Sequence, residues 1–280
     1  MKEFSEKTSQ PNDNYIAIST LCKDDLGYIS EWVDYHLSLG IDKIILYDNQ
    51  PRRPILKEYF DEYIQQSKVI VHHWPSQKQG RQSKSQIHSM KRYKAFRWIG
   101  LIDTDEFVVL LDGNTDIKQT FKEYEAYDAV GLSWLIFGSN NHKHKQKSIL
   151  YSYTQCCPNS KINCHIKSFV NPKKFISSAS VHGAITKSGT VNVNKEILIS
   201  VYGQTMNNPD KKRYIIDKKM RLNHYYTRSL EDWQDKIKRG GGEKADRVYG
   251  KNEYATAHTE SVFNDDIIKL YSRIKERHES

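Results

Sequence analysis

Short apolar runs and helical periodicities alternate through the first 110 or so residues. "YIAISTLC" (Tyr15 to Cys22) is apolar enough for a buried strand. "YISEWVDYHLSLG" then places Ile29, Trp32, Val33, His36 and Leu37 at helical spacing, with Gly40 as its stop. "IDKIILYDNQPRRP" reads as a second strand ending in a turn, residues 54 to 66 as helix, "KVIVHHWP" as a third strand, and "KSQIHSMKRYKAF" as a helix leading into "RWIGLID". This alternation predicts a parallel sheet with crossover helices. Past Leu111 the pattern loosens. "DIKQTFKEYEAY" reads as helix, "DAVGLSWLIFG" as strand and "SNNHKHKQKS" as a polar loop, followed by several short strand candidates from Ile149 to Ile199 and a late one near "KKMRLNHYY". "SLEDWQDKIKRG" and "DDIIKLYSRIKERH" read as closing helices. The prediction is an α/β fold with a mostly parallel central sheet and a more mixed C-terminal half. With no repeat and no Pro/Gly/Ser linker, a single domain over residues 15–280 follows a polar tail over 1–14.

Composition adds bounds. The 280 residues are 38% hydrophobic, enough for a substantial core. The opening "MKEFSEKTSQPNDN" has no apolar stretch, and no run of roughly 18 apolar residues occurs anywhere, so neither a signal peptide nor a membrane span is expected. Four cysteines (Cys22, Cys156, Cys157, Cys164) suit a reducing compartment, and a cytoplasmic location is the expectation. "CCPNSKINCH" lacks the paired spacing of a zinc site. The net charge of +9 points to an anionic ligand, peripheral contact with an acidic membrane, or nucleic acid.

The chemistry concentrates in "WIGLIDTDEFVVLL", where Asp103, Asp105 and Glu106 interrupt an apolar run. In extended backbone Asp103 and Asp105 would project from one face. Neighbouring carboxylates raise one another's pKa unless a cation compensates, and Mg²⁺ or Mn²⁺ would do so. If "RWIGLI" is a parallel strand, the acids sit at its carboxyl end, where open α/β sheets bind ligands. An acidic turn with surface ion pairs is the plainer alternative.

The succession "STLCKDDLGYISEWVDYHLSLGIDKIILYDNQ", "RWIGLIDTDEFV", "LSWLIFGSNNH" and "LNHYYTRSLEDWQDKIKRG" resembles glycosyltransferase family 92 and its bacterial, family-2-like relatives. The resemblance implies the GT-A fold, with "DTD" as the DXD motif, and transfer of a hexose from a UDP-sugar with Mn²⁺ or Mg²⁺ to a carbohydrate or glycoconjugate acceptor. It implies that Thr20, Cys22, Lys23 and Asp24 hold the nucleotide base and that Asp48 lies near base or ribose. "DNQP" is equally good turn chemistry for Asp48. Asp105 would bind the metal, Asp103 the metal or the ribose, and His224 would be the third protein ligand, with His182 its competitor. Gln86 matches a glutamine that precedes the family's DXD strand. Animal members carry an N-terminal membrane anchor that has no counterpart here, so their Golgi location is not carried over.

Arg228, Lys236, Lys238 and Arg239, before Gly240 to Gly242, would close over the diphosphate, or form a solvated helix face. The same choice applies to Lys84, His88, Lys91 and Arg92. Trp134 and Phe137 would stack on an acceptor sugar, or lie in the core. The catalytic base is left unassigned, with His142 and His182 as weak candidates. A haloacid-dehalogenase-type phosphatase needs its aspartates on the first strand, which these are not. A basic nucleic-acid binder lacks a module here, so no specific nucleic acid is expected. A non-catalytic sugar- or nucleotide-binding relative remains the other alternative.

Overall fold

A computed structural model describes residues 14–23, 26–201, 218–240, 254 and 261–279. Among them, strands β1 (Ile16–Cys22), β2 (Lys43–Asp48), β3 (Val69–His73) and β4 (Trp98–Leu101) form a parallel block in the order β4-β1-β2-β3. Helix α1 (Leu26–Ser38) joins β1 to β2, the short helices α2 (Leu56–Tyr59) and α3 (Asp61–Gln65) join β2 to β3, and α4 (Arg81–Arg92) joins β3 to β4. The helix expected over 54–66 is therefore broken at Phe60, whose buried ring ends one short helix and starts the next.

The sheet then becomes mixed. β5 (Glu106–Leu110), helix α5 (Ile117–Phe121), β6 (Ala129–Ile136), helix α6 (Ile149–Ser152), β7 (Gln155–Cys156) and β8 (Ile166–Val170) follow. β8 runs antiparallel between β4 and β6. β9 (Phe175–Ser180) and β10 (Gly183–Thr186) form a hairpin, and β11 (Thr190–Asn192) and β12 (Ile197–Leu198) extend the sheet beyond β6. β13 (Met220–His224) lies parallel to β6 and antiparallel to β5. Helix α7 (Leu230–Arg239), β14 (Val262–Phe263) and helix α8 (Asp266–Glu279) complete the described chain. This is a mixed α/β fold on a large, mostly parallel, Rossmann-like sheet. No described helix is long and apolar enough to cross a membrane.

α1 positions the acidic segment. Its Trp32 Nε1 donates to the Glu106 carbonyl at 2.7 Å and its Tyr35 hydroxyl to the Val108 carbonyl at 2.6 Å. His36 closes the same edge: its Nδ1 faces the Trp32 carbonyl at 2.8 Å, and Val108 N–H donates to its Nε2 at 3.3 Å. Side chains of "EWVDYH" thus do along β5 what another strand would do, satisfying backbone groups that burial would otherwise leave unpaired. Burial pulls the His36 pKa down to about 3, which keeps the ring neutral and able to accept from Val108. Glu31 of the same segment accepts from the Ser148 hydroxyl and from Ile149 N–H at 2.6 Å, tying α1 to the start of α6. Gly40 ends α1 at φ +100°, where a Cβ would also fall 2.3 Å from Asp116 Oδ1.

Candidate active site

In the order β3-β2-β1-β4, successive connections run one way from β1 to β3 and then return to its other side. The crevice at the carboxyl ends of β1 and β4 is the switch point where such sheets bind ligands. Residue 102 leaves β4 into this crevice, and a turn carries Asp103 to Glu106, closed by Glu106 N–H donating to the Asp103 carbonyl at 3.1 Å. The expected extended geometry is corrected here: Thr104 and Asp105 are turn residues, so Asp103 and Asp105 do not share a strand face.

Each aspartate has its own lysine. Asp103 accepts from Gln82 Nε2 of α4 at 2.6 Å and from Lys167 Nζ of β8 at 2.7 Å. Lys167 is enclosed, also donating to the Val181 carbonyl at 3.2 Å. Burial acts to lower its pKa, but the charges of Asp103 and Glu106 outweigh this and leave it raised. Glu106 is fully buried, and its Oε2 accepts from Asp103 N–H at 2.9 Å. Its Oε1 has no hydrogen-bond partner, standing 3.9 Å from Lys167 Nζ and 4.0 Å from His224 Nδ1. Burial, only partly offset by Lys167 and reinforced by Asp103 and Asp105, pushes the Glu106 pKa well above the carboxylate range.

Asp105 faces the other way. Lys236 Nζ, from the last turn of α7, donates to its Oδ2 at 3.1 Å and to the Tyr226 carbonyl at 2.8 Å. His224 Nε2, at the end of β13, lies 3.5 Å from its Oδ1. Burial opposes ionisation of Asp105, yet Lys236, His224 and Arg228 overcome it and hold the pKa well below the usual value. At Lys236 and His224 burial prevails over the attraction of Asp105, and both pKa values are lowered. The His224 imidazole, packed 4.3 Å from the Trp134 ring centre, is thus biased to its neutral, ligand-capable form. Its pairing with Asp105 follows from strand register: β13 aligns His224 with Glu106, and Tyr225 N–H donates to the Asp105 carbonyl at 2.9 Å.

The remaining predicted positions are distributed unevenly. Thr20 and Cys22 are buried at the end of β1, with Thr20 Oγ1 lacking a hydrogen-bond partner. The Lys23 carbonyl accepts from Arg239 Nη1 at 3.0 Å, which brings the β1 loop to the end of α7. Asp24, Gly241 and Gly242 lie outside the described residues. Arg228 stacks over Tyr28 at 4.9 Å and is close enough to Asp105 to lower its pKa. Gln86 donates to the Val181 carbonyl at 3.3 Å, supporting the turn beside Lys167. Asp48 has the turn role: fully buried, it accepts from Ile55 and Leu56 N–H at 2.7 and 2.8 Å and from Gln50 N–H at 3.1 Å.

Phe137 is fully enclosed in the core rather than presented to an acceptor, and Trp134 sits among His165, His182 and His224. His142 Nε2 faces the Ser152 carbonyl at 3.0 Å, on the loop that meets the start of α7. His182 is nearer the acids, with Nδ1 3.1 Å from the Ile166 carbonyl and a pKa pulled to about 3 by burial and then by Lys167. Lys84, Lys91 and Arg92 make no described contact with the acidic turn. Three described carboxylate, imidazole or thiol groups do not converge into a metal cage, and a triad of Asp103, Asp105 and His224 is not formed. Asp105 and His224 alone are adjacent.

Sequence reasoning missed Gln82 and Lys167 and gave Glu106 no role. The available signal for Lys167 was a lone lysine in "HIKSFV", between apolar residues of a strand buried throughout.

A Rossmann-like sheet whose switch point gathers aspartates, lysines and a histidine defines an α/β protein with a charged crevice at its carboxyl edge. Comparison with known sequences narrows this: residues 15–239 match the model of glycosyltransferase family 92, and the chain belongs to that family. It is 25% identical over 229 residues to a glycosyltransferase family 92 protein of Oryza sativa subsp. japonica, covering 79% of this chain and 35% of that protein. It is 27% identical over 193 residues to one of Ricinus communis, covering 66% and 34% respectively. A family 92 protein of Arabidopsis thaliana is 27% identical over 124 residues, 41% of this chain and 21% of that protein. The chain thus spans about a third or less of the length of these curated relatives.

Proposed function

We propose that this protein is a GT-A glycosyltransferase that moves a hexose from a UDP-sugar to a carbohydrate or glycoconjugate acceptor with the help of Mn²⁺ or Mg²⁺. The observation that carries the reading is the adjacency of Asp105 and His224 at the sheet's switch point, 3.5 Å apart. Such ions are commonly held by one or two protein groups together with substrate phosphates, so a full protein cage is not required. Asp105 and His224 fit that demand: one anionic oxygen donor and one neutral nitrogen that adds no negative charge beside the diphosphate. When bound, the ion would supply Lewis-acid stabilisation of the departing nucleoside diphosphate.

The chain's own residues do the rest. Arg228, Lys236 and Arg239 bring positive charge to the approach to Asp105 and would attract the diphosphate. Asp103 is fixed by Gln82 and Lys167 and keeps about a third of its side chain accessible (34%), which suits a ribose hydroxyl better than a shared ion. Thr20 and Cys22, buried at the end of β1, would lie on the base side. Peripheral binding to an anionic membrane would use the same net charge of +9. Hydrolysis of a panel of nucleotide sugars, with Mn²⁺ and with chelator, tests the function. Metal-dependent release of UDP from one or a few donors is expected, and no turnover or binding across the panel would overturn the reading.

A further inference from the structure

We propose that Lys236 is the resident cation of the Asp105 carboxylate, and that it gives way to the divalent ion and turns to the diphosphate when both arrive, coupling ion binding to nucleotide binding. This rests on the metal and diphosphate reading above, and makes Lys236 a positioning residue.

The geometry supplies the competition. The Lys236 ammonium and the His224 imidazole take different oxygens of one carboxylate, at 3.1 and 3.5 Å. An ion seated on Asp105 and His224 would stand beside that ammonium, and two cations so close in a partly dehydrated crevice repel strongly. The ammonium must then move or the ion must bind weakly. The surroundings favour movement. Lys236 lies in the last turn of α7, its Nζ 4.3 Å from the Tyr226 ring centre, and four rotatable bonds let it swing toward a new anion. Arg228 and Arg239 crowd it with like charge. Both lysines are also tied to a carbonyl, Lys236 to Tyr226 at 2.8 Å and Lys167 to Val181 at 3.2 Å, but Lys167 stands inside a strand buried throughout, whereas Lys236 stands at a helix end.

Without a diphosphate, displacing Lys236 exchanges one ion pair for another and leaves an ammonium short of a partner anion. With the diphosphate present, the displaced ammonium gains two phosphate groups. Ion and nucleotide therefore strengthen each other, reciprocally as linkage requires.

The test is calorimetric titration of the whole chain with Mn²⁺ alone, UDP alone, and UDP in saturating Mn²⁺, for wild type, Lys236→Gln and Lys236→Arg, with thermal melts to establish folding. The wild type should bind Mn²⁺ weakly alone, with UDP tightening it by a factor of about 5 to 150, the usual span of such coupling. Lys236→Gln should bind Mn²⁺ alone more tightly than wild type while losing most of the coupling. Lys236→Arg, whose guanidinium can hold a carboxylate through two bonds, should bind Mn²⁺ alone more weakly still. Tighter Mn²⁺ binding cannot arise from a merely structural defect. If Lys236→Gln weakens or leaves unchanged the binding of Mn²⁺ alone, the exchange is wrong although the metal site stands. If wild type binds no Mn²⁺ with or without UDP, the metal reading falls and the inference with it. If Lys236→Gln does not fold, Lys236→Arg decides by the direction of its change.

Discussion

Asp103 and Asp105 stand two residues apart in one turn, yet they belong to different parts of the molecule. Asp103 is held by a lysine of β8 and a glutamine of α4, with the fully buried Glu106 behind it, while about a third of its side chain stays accessible. Asp105 faces a lysine of α7 and a histidine of β13, elements that come more than a hundred residues later. Each acid has a lysine beside it. At Asp103 the compensating lysine is built into the sheet; at Asp105 it comes from the end of a helix. Similar local chemistry therefore serves two ends: Asp103, Glu106 and Lys167 hold the turn, and Asp105, His224 and Lys236 are arranged to exchange their cation.

The largest expected difference comes from removing the lysines. Lys167→Met removes the enclosed cation between the partly exposed Asp103 and the fully buried Glu106 and should cost about 3–5 kcal/mol, the usual penalty for breaking a buried pair from one side. Lys236→Gln loses a charge-assisted hydrogen bond but keeps a side-chain donor beside Asp105, and should cost roughly 1.5 kcal/mol. Urea unfolding midpoints measure both, and equal losses would erase the distinction between the two sides. A smaller effect separates the histidines. His224→Ala should weaken Mn²⁺ and UDP binding together by on the order of tenfold or more, with His182→Ala closer to wild type, since His224 stands beside Asp105 whereas His182 faces the Ile166 carbonyl and Trp134. A reversed ranking in titration calorimetry would move the site away from Asp105.

Acidity sharpens the contrast further. The Asp105 pKa is depressed in the folded protein, so its stabilising contribution is present above its ordinary 3.8 and is lost as the pH falls through the lower folded value. The stability gap between wild type and Asp105→Asn should be widest near neutrality and close in acid. The Glu106 pKa is raised, so its contribution is most favourable below its ordinary 4.5 and is lost as the pH rises toward the folded value. Glu106→Gln should gain on wild type as the pH climbs from 4.5, by up to about 1.4 kcal/mol per pH unit. Denaturation series at several pH values read both slopes, and slopes of the same sign would contradict the division. The smallest effect concerns the general charge: random DNA should bind weakly and release with modest salt, because phosphate contacts alone would hold it. Tight binding at physiological salt, seen by fluorescence anisotropy, would shift the role of the basic residues away from a compact diphosphate site.

The parallel block was legible because β1 to β4 and their helices follow simple periodicities, and the acidic turn because charge inside an apolar run is conspicuous. The second half was less legible because it depends on non-local pairing. β8 inserts antiparallel between β4 and β6, and no local pattern announces that Lys167 will then lie beside Asp103. Asp48 lies between these cases, since turn chemistry readable in "DNQP" accounts for its bond from Gln50 N–H but not for those from Ile55 and Leu56. The "EWVDYH" segment carried much of the family resemblance, and its Trp32, Tyr35 and His36 explain why physically: they finish the open edge of β5 and so set where the acidic turn stands.

The division of the two aspartates is tested most directly by titrating UDP in the presence of Mn²⁺ into wild type and Asp105→Asn, with a thermal melt of each. Loss of metal-dependent UDP binding by Asp105→Asn, with a cooperative melt retained, is the expected result. Unchanged UDP affinity and unchanged metal dependence in a folded Asp105→Asn protein would contradict it.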